Sequence, residues 1–304
     1  MRPIYYEAGI IAETNDRMKT TIIAVILFLS TFSSLAYARP AALTADRIEH
    51  YLAVEPFVYA GGPFAGLEVD LNSKRPVTLL PELETETSIF VSHFFNQGKF
   101  WVAEIQKDSV KSVVMQLALF AGPAGYQLAH MQYRFMLDTP AKLYRVVDGD
   151  FRSTQTGDMI FTIQAAVPIG KTYNPAVALL RSYKIVGRLV NSFDRAQLEE
   201  QNGGDSVTQY ELKNMSSEQK NSLLMTALSF STRYQMTKDY LTATENCISV
   251  SFDLLDAAMG IESERVTLNF KNVFLNGKSP NEKMVLDALT ERRLIDSTSR
   301  MENY

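Results

Sequence analysis

The sequence predicts an α+β fold in which a mixed or antiparallel sheet packs against helices. Alternating apolar and polar residues dominate the first half of the chain, as in Tyr126 to Leu137, and this alternation is typical of half-buried strands. In the second half, capping residues such as Ser216 and Asn246 precede stretches with helical spacing. Strands that come first and helices that follow favour an α+β over an α/β architecture.

Residues 18–38 have the three parts of a secretory signal peptide. Met18-Lys19 is a short basic start, an apolar run extends from Thr20 to Phe32, and Ala36-Tyr37-Ala38 has the form of a cleavage site. The apolar run is too short for a comfortable membrane span. We therefore expect Met18 to be the start, cleavage near Ala38, and residues 1–38 to be absent from the mature protein. Residues 39–304 then form a single periplasmic domain without a transmembrane anchor.

Composition limits the classes of function. The net charge of −4 is unchanged when residues 1–38 are removed, because they contain equal numbers of basic and acidic residues. The chain has no basic cluster, which argues against a nucleic-acid partner. With 17 Phe and 14 Tyr it has ample bulk for a core. A single cysteine cannot form an internal disulfide.

The elements predicted in the first half are a short helix, a hairpin and several strands. Asn96-Gln97-Gly98 has the chemistry of a hairpin turn. Ser109 to Phe120 is apolar and fits either a helix or a strand. A polar turn region over 148–158 separates the last two strands. The predicted elements are a helix from Leu43 to Val54, hairpin strands from Ser88 to Phe95 and from Lys99 to Ile105, and strands from Tyr126 to Leu137, Leu143 to Val147 and Met159 to Val167.

The second half is predicted to be mainly helical. Ser216 and Gln219 stand three residues apart, as in a capping box, and a helix follows them. A further helix begins at Cys247, runs to about Ala258 and stops at Gly260. The remaining predictions are a helix from Val177 to Leu189, a loop at 202–205, a strand from Val266 to Leu275 and an exposed helix from Pro280 to Leu294.

Cys247 is the first candidate for chemistry. Asn246 can cap the helix, and the helix dipole in the first turn favours the thiolate over the thiol. A thiolate nucleophile also needs a proton acceptor. A lone cysteine on an amphipathic helix equally fits a small buried hydrophobic residue, and that interpretation stays open.

Among the three histidines, His130 is the best candidate base. Strand alternation places His130, Gln132 and Arg134 on one face, opposite an apolar face. Gln132 would orient the imidazole, and Arg134 could bind a carboxylate or phosphate. His130 equally fits a satisfied structural group, and Arg134 a solvent-facing one. His93 shares an apolar face and His50 lies on a polar helix, so neither is preferred.

No metal or cofactor is expected. The chain has no paired histidines, no CxxC motif and no carboxylates at ligand spacing. It also lacks the G-x-S-x-G motif of a serine nucleophile.

Two segments resemble a known family. The segment from Tyr210 through Ser216-Ser217-Glu218-Gln219 to Asn246-Cys247, with the helix that follows, resembles the Lnb N-terminal periplasmic domain family (DUF4105). Ala129-His130-Met131-Gln132-Tyr133 resembles the histidine-bearing strand of that family, although Ala129 stands where glycine is expected. The resemblance covers roughly residues 88–258.

This resemblance implies a permuted papain-like core, similar to that of NlpC/P60 enzymes, and thiol-dependent acyl transfer linked to lipoprotein acylation. Cys247 would be the nucleophile, His130 its base, and Asn246 a neighbour of the site. A lipid or lipoprotein would be the substrate. Two alternatives stay open: a non-catalytic periplasmic binding or scaffold module, and a cell-wall peptidase.

Overall fold

A mostly antiparallel β-sheet organises the structure. The structure is a computed structural model that describes residues 42–121, 127–195, 206–262, 265–266 and 280–301. These residues belong to one compact unit, Ala41–Tyr304. Within them, ten strands join in one sheet, and helices accompany it, so the predicted α+β class is confirmed. The strands are β1 (Thr78–Leu79), β2 (Ser88–Asn96), β3 (Lys99–Gln106), β4 (Val110–Ala121), β5 (Gln127–Val147), β6 (Asp150–Ala166), β7 (Tyr183–Val190), β8 (Ser206–Glu211), β9 (Asp239–Tyr240) and β10 (Arg300–Met301). The helices named below are α1 (Ala45–Leu52), α2 (Pro175–Ala178), α3 (Ser217–Tyr234), α4 (Cys247–Met259) and α5 (Pro280–Glu291).

Part of the sheet closes into a ring of five strands. Strand β5 is long enough to pair with β4 along its first part and with β3 at Lys142 to Tyr144, while β6 runs along its other edge. From there β6 pairs with β7, and β3 pairs with β2. A short parallel contact between β2 and β7 closes the ring, with Phe94 opposite Leu189.

The two faces of this sheet differ in what covers them. Ala129, Met131 and Tyr133 of β5 belong to the main hydrophobic core together with residues of α3 and α4. We call the face of the sheet that α3 and α4 cover the inner face. On the opposite, outer face, α1 covers a smaller apolar cluster around Ile48 and Val102. Since successive side chains of a strand alternate, each strand contributes to both faces.

The chain turns tightly where glycine permits it. Gln97 and Gly98 have φ values of 53° and 69°, and Asp148 and Gly149 have values of 54° and 81°. Two consecutive left-handed residues are what the two-residue turn between antiparallel strands requires. These turns join β2 to β3 and β5 to β6, and the first of them confirms the predicted hairpin.

Helix α3 approaches β7 closely at a glycine. The Ser231 hydroxyl donates to the Gly187 carbonyl at 2.8 Å. A Cβ built on Gly187 would lie 2.8 Å from the Ser231 Cβ. Glycine at this position therefore sets the distance between the helix and the inner face.

The helices predicted from capping signals are confirmed. Ser216 and Gln219 form the capping box of α3, and Gly260, with φ of 66°, ends α4. The ambiguous segment after Ser109 is strand β4.

Two predictions from periodicity are wrong. Region 150–158 is not a turn but the exposed start of β6, which is polar because water reaches it while its backbone still pairs with β5. Residues 183–189, predicted as helix, lie in strand β7, whose side chains are nearly all buried. Burial on both faces removes the alternation that marks a strand.

Several predictions fall outside the described residues. These are the signal peptide over 18–38, the loop at 202–205 and most of the strand predicted from Val266. Among the helices of the described residues, none combines the length and the apolar character needed to cross a membrane.

Candidate functional site

Cys247 is the first residue of α4, as predicted. The Asn246 side-chain oxygen accepts hydrogen bonds from the backbone N–H groups of Ile248 (2.8 Å) and Ser249 (3.0 Å). The Ser249 hydroxyl accepts from the Asn246 N–H at 3.0 Å, which completes a capping box. The start of the helix is thus fixed by local side-chain hydrogen bonds.

The Cys247 thiol is buried between α4 and the inner face. Only 6% of the residue is exposed. Its Sγ lies 3.9 Å from the Ala129 carbonyl oxygen and 3.9 Å from the Tyr240 hydroxyl. Burial raises the pKa of the thiol, and the hydrogen bonds that it receives oppose this effect only in part. The helix dipole is therefore outweighed, and the neutral thiol is favoured at neutral pH.

His130 lies on the outer face. Its Nε2 is 2.6 Å from the Thr162 hydroxyl of β6. Burial, and secondly the positive charge of Arg195, lower the pKa of the imidazole to about 3. The imidazole is therefore neutral at physiological pH and is held by a neutral partner.

Cys247 and His130 have different hydrogen-bond partners among the described residues. Helix α4 packs on the inner face, where the Tyr133 hydroxyl donates to the Ser251 carbonyl at 3.0 Å. Ala129, the neighbour of His130 in the strand, faces the thiol, so the His130 side chain points to the other side of the sheet. The pairing of Cys247 as nucleophile with His130 as base stays a prediction.

The three supporting residues have structural partners instead. Asn246 donates from Nδ2 to the Thr242 carbonyl at 2.7 Å, in addition to its capping bonds. Gln132 donates from Nε2 to Gln116 Oε1 at 2.9 Å. Arg134 is not a solvent-facing residue: its Nε donates to Asp158 Oδ2 at 2.7 Å in a mostly buried ion pair.

The other two histidines lie at the bulge of β2 and on α1. His93 sits at a β-bulge of β2 with φ of 61°, and its Nδ1 is 3.0 Å from the Pro76 carbonyl oxygen. Burial lowers the pKa of His93 to about 4. His50 is exposed in the last turn of α1, as predicted.

Sequence reasoning missed a buried polar row across the outer face. At one level of the sheet, directly opposed residues of five neighbouring strands are polar, and each is at most 3% exposed. In strand order from β8 through β4, β5 and β6 to β7 they are Gln209, Gln116, Gln132, Thr162 and Arg188. We call these five residues the polar row.

Two of its hydrogen bonds form a directional chain. Gln132 Nε2 donates to Gln116 Oε1, and Gln116 Nε2 donates to Gln209 Oε1 at 2.8 Å. Gln116 and Thr162 each interrupt an apolar stretch, and this is the signal that could have predicted buried polar residues in β4 and β6. Arg188 escapes prediction because the spacing of its segment favours a helix.

No group of three or more histidine, cysteine or acidic residues suited to a metal ion occurs within the described residues. Comparisons of the chain with protein-family models, with curated proteins and with solved structures find no match.

Proposed function

We propose that this chain is a non-catalytic binding module of the bacterial envelope, exported by the signal peptide predicted over residues 18–38. The observation that supports the proposal is that thiol and imidazole have different partners: Sγ lies near the Ala129 carbonyl oxygen and the Tyr240 hydroxyl, and His130 Nε2 near the Thr162 hydroxyl. A thiol whose pKa is raised, and which makes no hydrogen bond to its predicted base, lacks the activation that nucleophilic catalysis needs. On this proposal Cys247 is a packing residue of α4.

Thiol labelling of the native protein tests the proposal. We expect Cys247 to react slowly with a maleimide at neutral pH and to become reactive on unfolding in urea, because the thiol is buried and protonated. His130→Ala should leave the labelling rate unchanged. Fast labelling below neutral pH that depends on His130 would contradict the proposal.

The matched variants are Cys247→Ala and Cys247→Ser. If Cys247 only packs, Cys247→Ala should preserve every cellular phenotype of the intact protein. Cys247→Ser should do the same, with a small loss of stability from burying a hydroxyl. Loss of phenotype in both variants, while the protein remains folded, would show that the sulfur itself is required.

A second candidate function is a thiol acyltransferase or hydrolase with a permuted papain-like core, acting on a lipid or lipoprotein. It is favoured by the position of Cys247 in the first turn of a capped helix packed on β5. The sulfur would attack an ester or amide carbonyl carbon, a thioester would form, and the departing alcohol or amine would take the thiol proton. The side chain that approaches Sγ is that of Tyr240, whose hydroxyl oxygen lies 3.9 Å away.

Trapping of the thioester separates the two functions. The protein is incubated with a phospholipid ester and, separately, with peptidoglycan fragments, and its intact mass is measured. An added acyl mass that is lost in Cys247→Ala supports acyl transfer, whereas cleavage of the fragments supports the peptidase alternative. An unchanged mass with both substrates supports the binding module.

A further inference from the structure

Arg188 ends the polar row with unused hydrogen-bonding capacity. The residue is 3% exposed, and its Nη1 donates to Gln164 Oε1 at 3.0 Å. The Phe95 ring centroid lies 5.5 Å from the guanidinium carbon. Nε and Nη2 have no hydrogen-bond partner anywhere in the described part of the chain. Leaving such buried donors unsatisfied is costly, and more so on a charged group.

The unused edge is the one with which arginine holds carboxylates elsewhere in this chain. Arg292 donates from Nε and from Nη2 to the two oxygens of Asp256, both at 2.7 Å. Arg134 uses the same edge on Asp158. Two parallel N–H groups match the geometry of a carboxylate or a phosphate. No carboxylate of the described residues accepts a hydrogen bond from this edge of Arg188.

Arg188 lies near two further positive charges, those of Arg195 and Lys74. Burial first, and then the charge of Arg195, lower the pKa of Arg188 to about 9. Lys74, which is half-buried, has its pKa lowered by burial and by the charge of Arg188. These effects describe a desolvated cationic cluster, which a bound anion would stabilise.

The two carboxylates nearest in electrostatic effect have other partners. Asp194 accepts from the backbone N–H groups of Gln97 (2.6 Å) and Gly98 (3.2 Å). Asp70 accepts from the Ser73 hydroxyl at 2.8 Å. Both raise the pKa of Arg188 from a distance, but neither accepts a hydrogen bond from its Nε or Nη2. Within the residues that the structure describes, this edge of Arg188 therefore lacks a counterion in direct contact.

We propose that Arg188 binds an oxyanion, the carboxylate or phosphate group of a ligand, through Nε and Nη2. Lys74 and Arg195 supply further positive charge. Gln164, which accepts from Nη1 of Arg188, and Lys74 are only half-buried, so the surroundings of the guanidinium include partly exposed side chains. The inference rests on the proposed binding function and names the class of ligand.

Titration of the full chain with inorganic phosphate and, separately, with acetate tests this proposal. Binding is followed by the melting temperature and by isothermal calorimetry, with sodium chloride at matched ionic strength as the blank. We expect at least one of the two oxyanions to raise the melting temperature well beyond chloride. The stronger of them identifies the group, because both share the bidentate geometry.

Variants assign the effect to the two parallel N–H groups of Arg188. Arg188→Met removes these donors and the charge and should weaken binding at least tenfold. Arg188→Lys keeps the charge and should still weaken binding, since a single ammonium cannot bind both oxygens along one edge. Arg134→Met is the control: it breaks the pair with Asp158 and should lower stability while leaving anion affinity unchanged.

Each outcome of these titrations supports or overturns the proposed oxyanion binding by Arg188. Equal affinity in Arg188→Met and in the unchanged protein, or no oxyanion binding at all, would overturn the proposal. If Arg188→Met does not fold, the comparison of Arg188→Lys with the unchanged protein decides instead. Failure of oxyanion binding, with Cys247 still unreactive, would leave the non-catalytic function standing without this ligand class. A reactive Cys247 would reject that function irrespective of anion binding.

Discussion

Replacing Gly187 by alanine tests how α3 rests on the inner face. The added Cβ would lie 2.8 Å from the Ser231 Cβ, 3.0 Å from its Oγ and 3.1 Å from Phe161 Cζ. Carbon atoms in contact normally lie about 3.5–4.0 Å apart. The closest atom is a Cβ fixed to the helix backbone, so rotation of a side chain cannot relieve the overlap. Either α3 or β7 has to move by several tenths of an ångström.

The expected cost follows from overpacking. Extra methyl groups in a well-packed core typically cost about 1–3 kcal/mol of unfolding free energy. For a domain of this size each kcal/mol lowers the melting temperature by roughly 2–4 °C. We therefore expect Gly187→Ala to lower the melting temperature by about 2–12 °C, measured by circular dichroism.

Two further variants make the measurement specific. Gly157→Ala is the matched control, because its added Cβ meets no atom within 4 Å, and its stability should change by no more than about 0.5 kcal/mol. Ser231→Gly removes the Cβ that the new methyl group at position 187 would meet. The double variant should therefore lose less stability than the sum of the two single variants, by about 1 kcal/mol or more. Additive losses, or no loss in Gly187→Ala, would refute the close approach.

Two other predictions test the faces of the sheet. Tyr133→Phe should lower the unfolding free energy by about 1 kcal/mol in urea titrations, because the buried hydrogen bond from Tyr133 to the Ser251 carbonyl is lost; an unchanged value would argue against α4 lying on the inner face. The depressed pKa values of His130 (about 3) and His93 (about 4) mean that the unfolded chain takes up protons first. Stability is therefore complete above the ordinary pKa of histidine, near 6.5, and falls as the pH decreases, by up to about 1.4 kcal/mol per pH unit and histidine. Urea titrations at decreasing pH should show a smaller slope in His130→Gln and in His93→Gln; the same slope in both variants would contradict this assignment.

The elements that could be predicted from the sequence are those set by local chemistry. Gln97-Gly98 adopts a turn that glycine favours, and Ser216 and Asn246 cap their helices within four residues of themselves. Because these interactions join residues close together in the sequence, the hairpin turn and the helix starts can be predicted from the residue types. The same locality explains why Gly260 marks the end of α4.

The elements that could not be predicted depend on contacts between distant segments. Residues 183–189 look helical because their apolar residues are not alternating, yet β7 is buried on both faces by other parts of the chain. The polarity of 150–158 predicts a turn because nothing local reveals that these residues pair with β5. In both cases tertiary structure overrides the periodicity of the segment.

Periodicity predicts only part of the candidate site. Alternation correctly groups His130, Gln132 and Arg134 on one face of β5. It does not reveal which face a helix from the far end of the chain will cover. Helix α4 covers the face of Ala129, and the partner of Sγ on β5 is the Ala129 carbonyl oxygen, whereas the His130 imidazole pairs with Thr162.

The polar row explains why a polar stripe on a buried strand need not be catalytic. The side-chain amide of Gln132 on β5 donates to Gln116 on β4, and the amide of Gln116 donates to Gln209 on β8. A slip of one residue in any of these strands would place a glutamine in the inner core and an apolar residue in the row, so the amides specify the register of the sheet. Thr162 continues the row by pairing with His130. Arg188 ends the row. Its Nε and Nη2 are buried donors without an acceptor among the described residues, so the contacts of the sheet do not explain them.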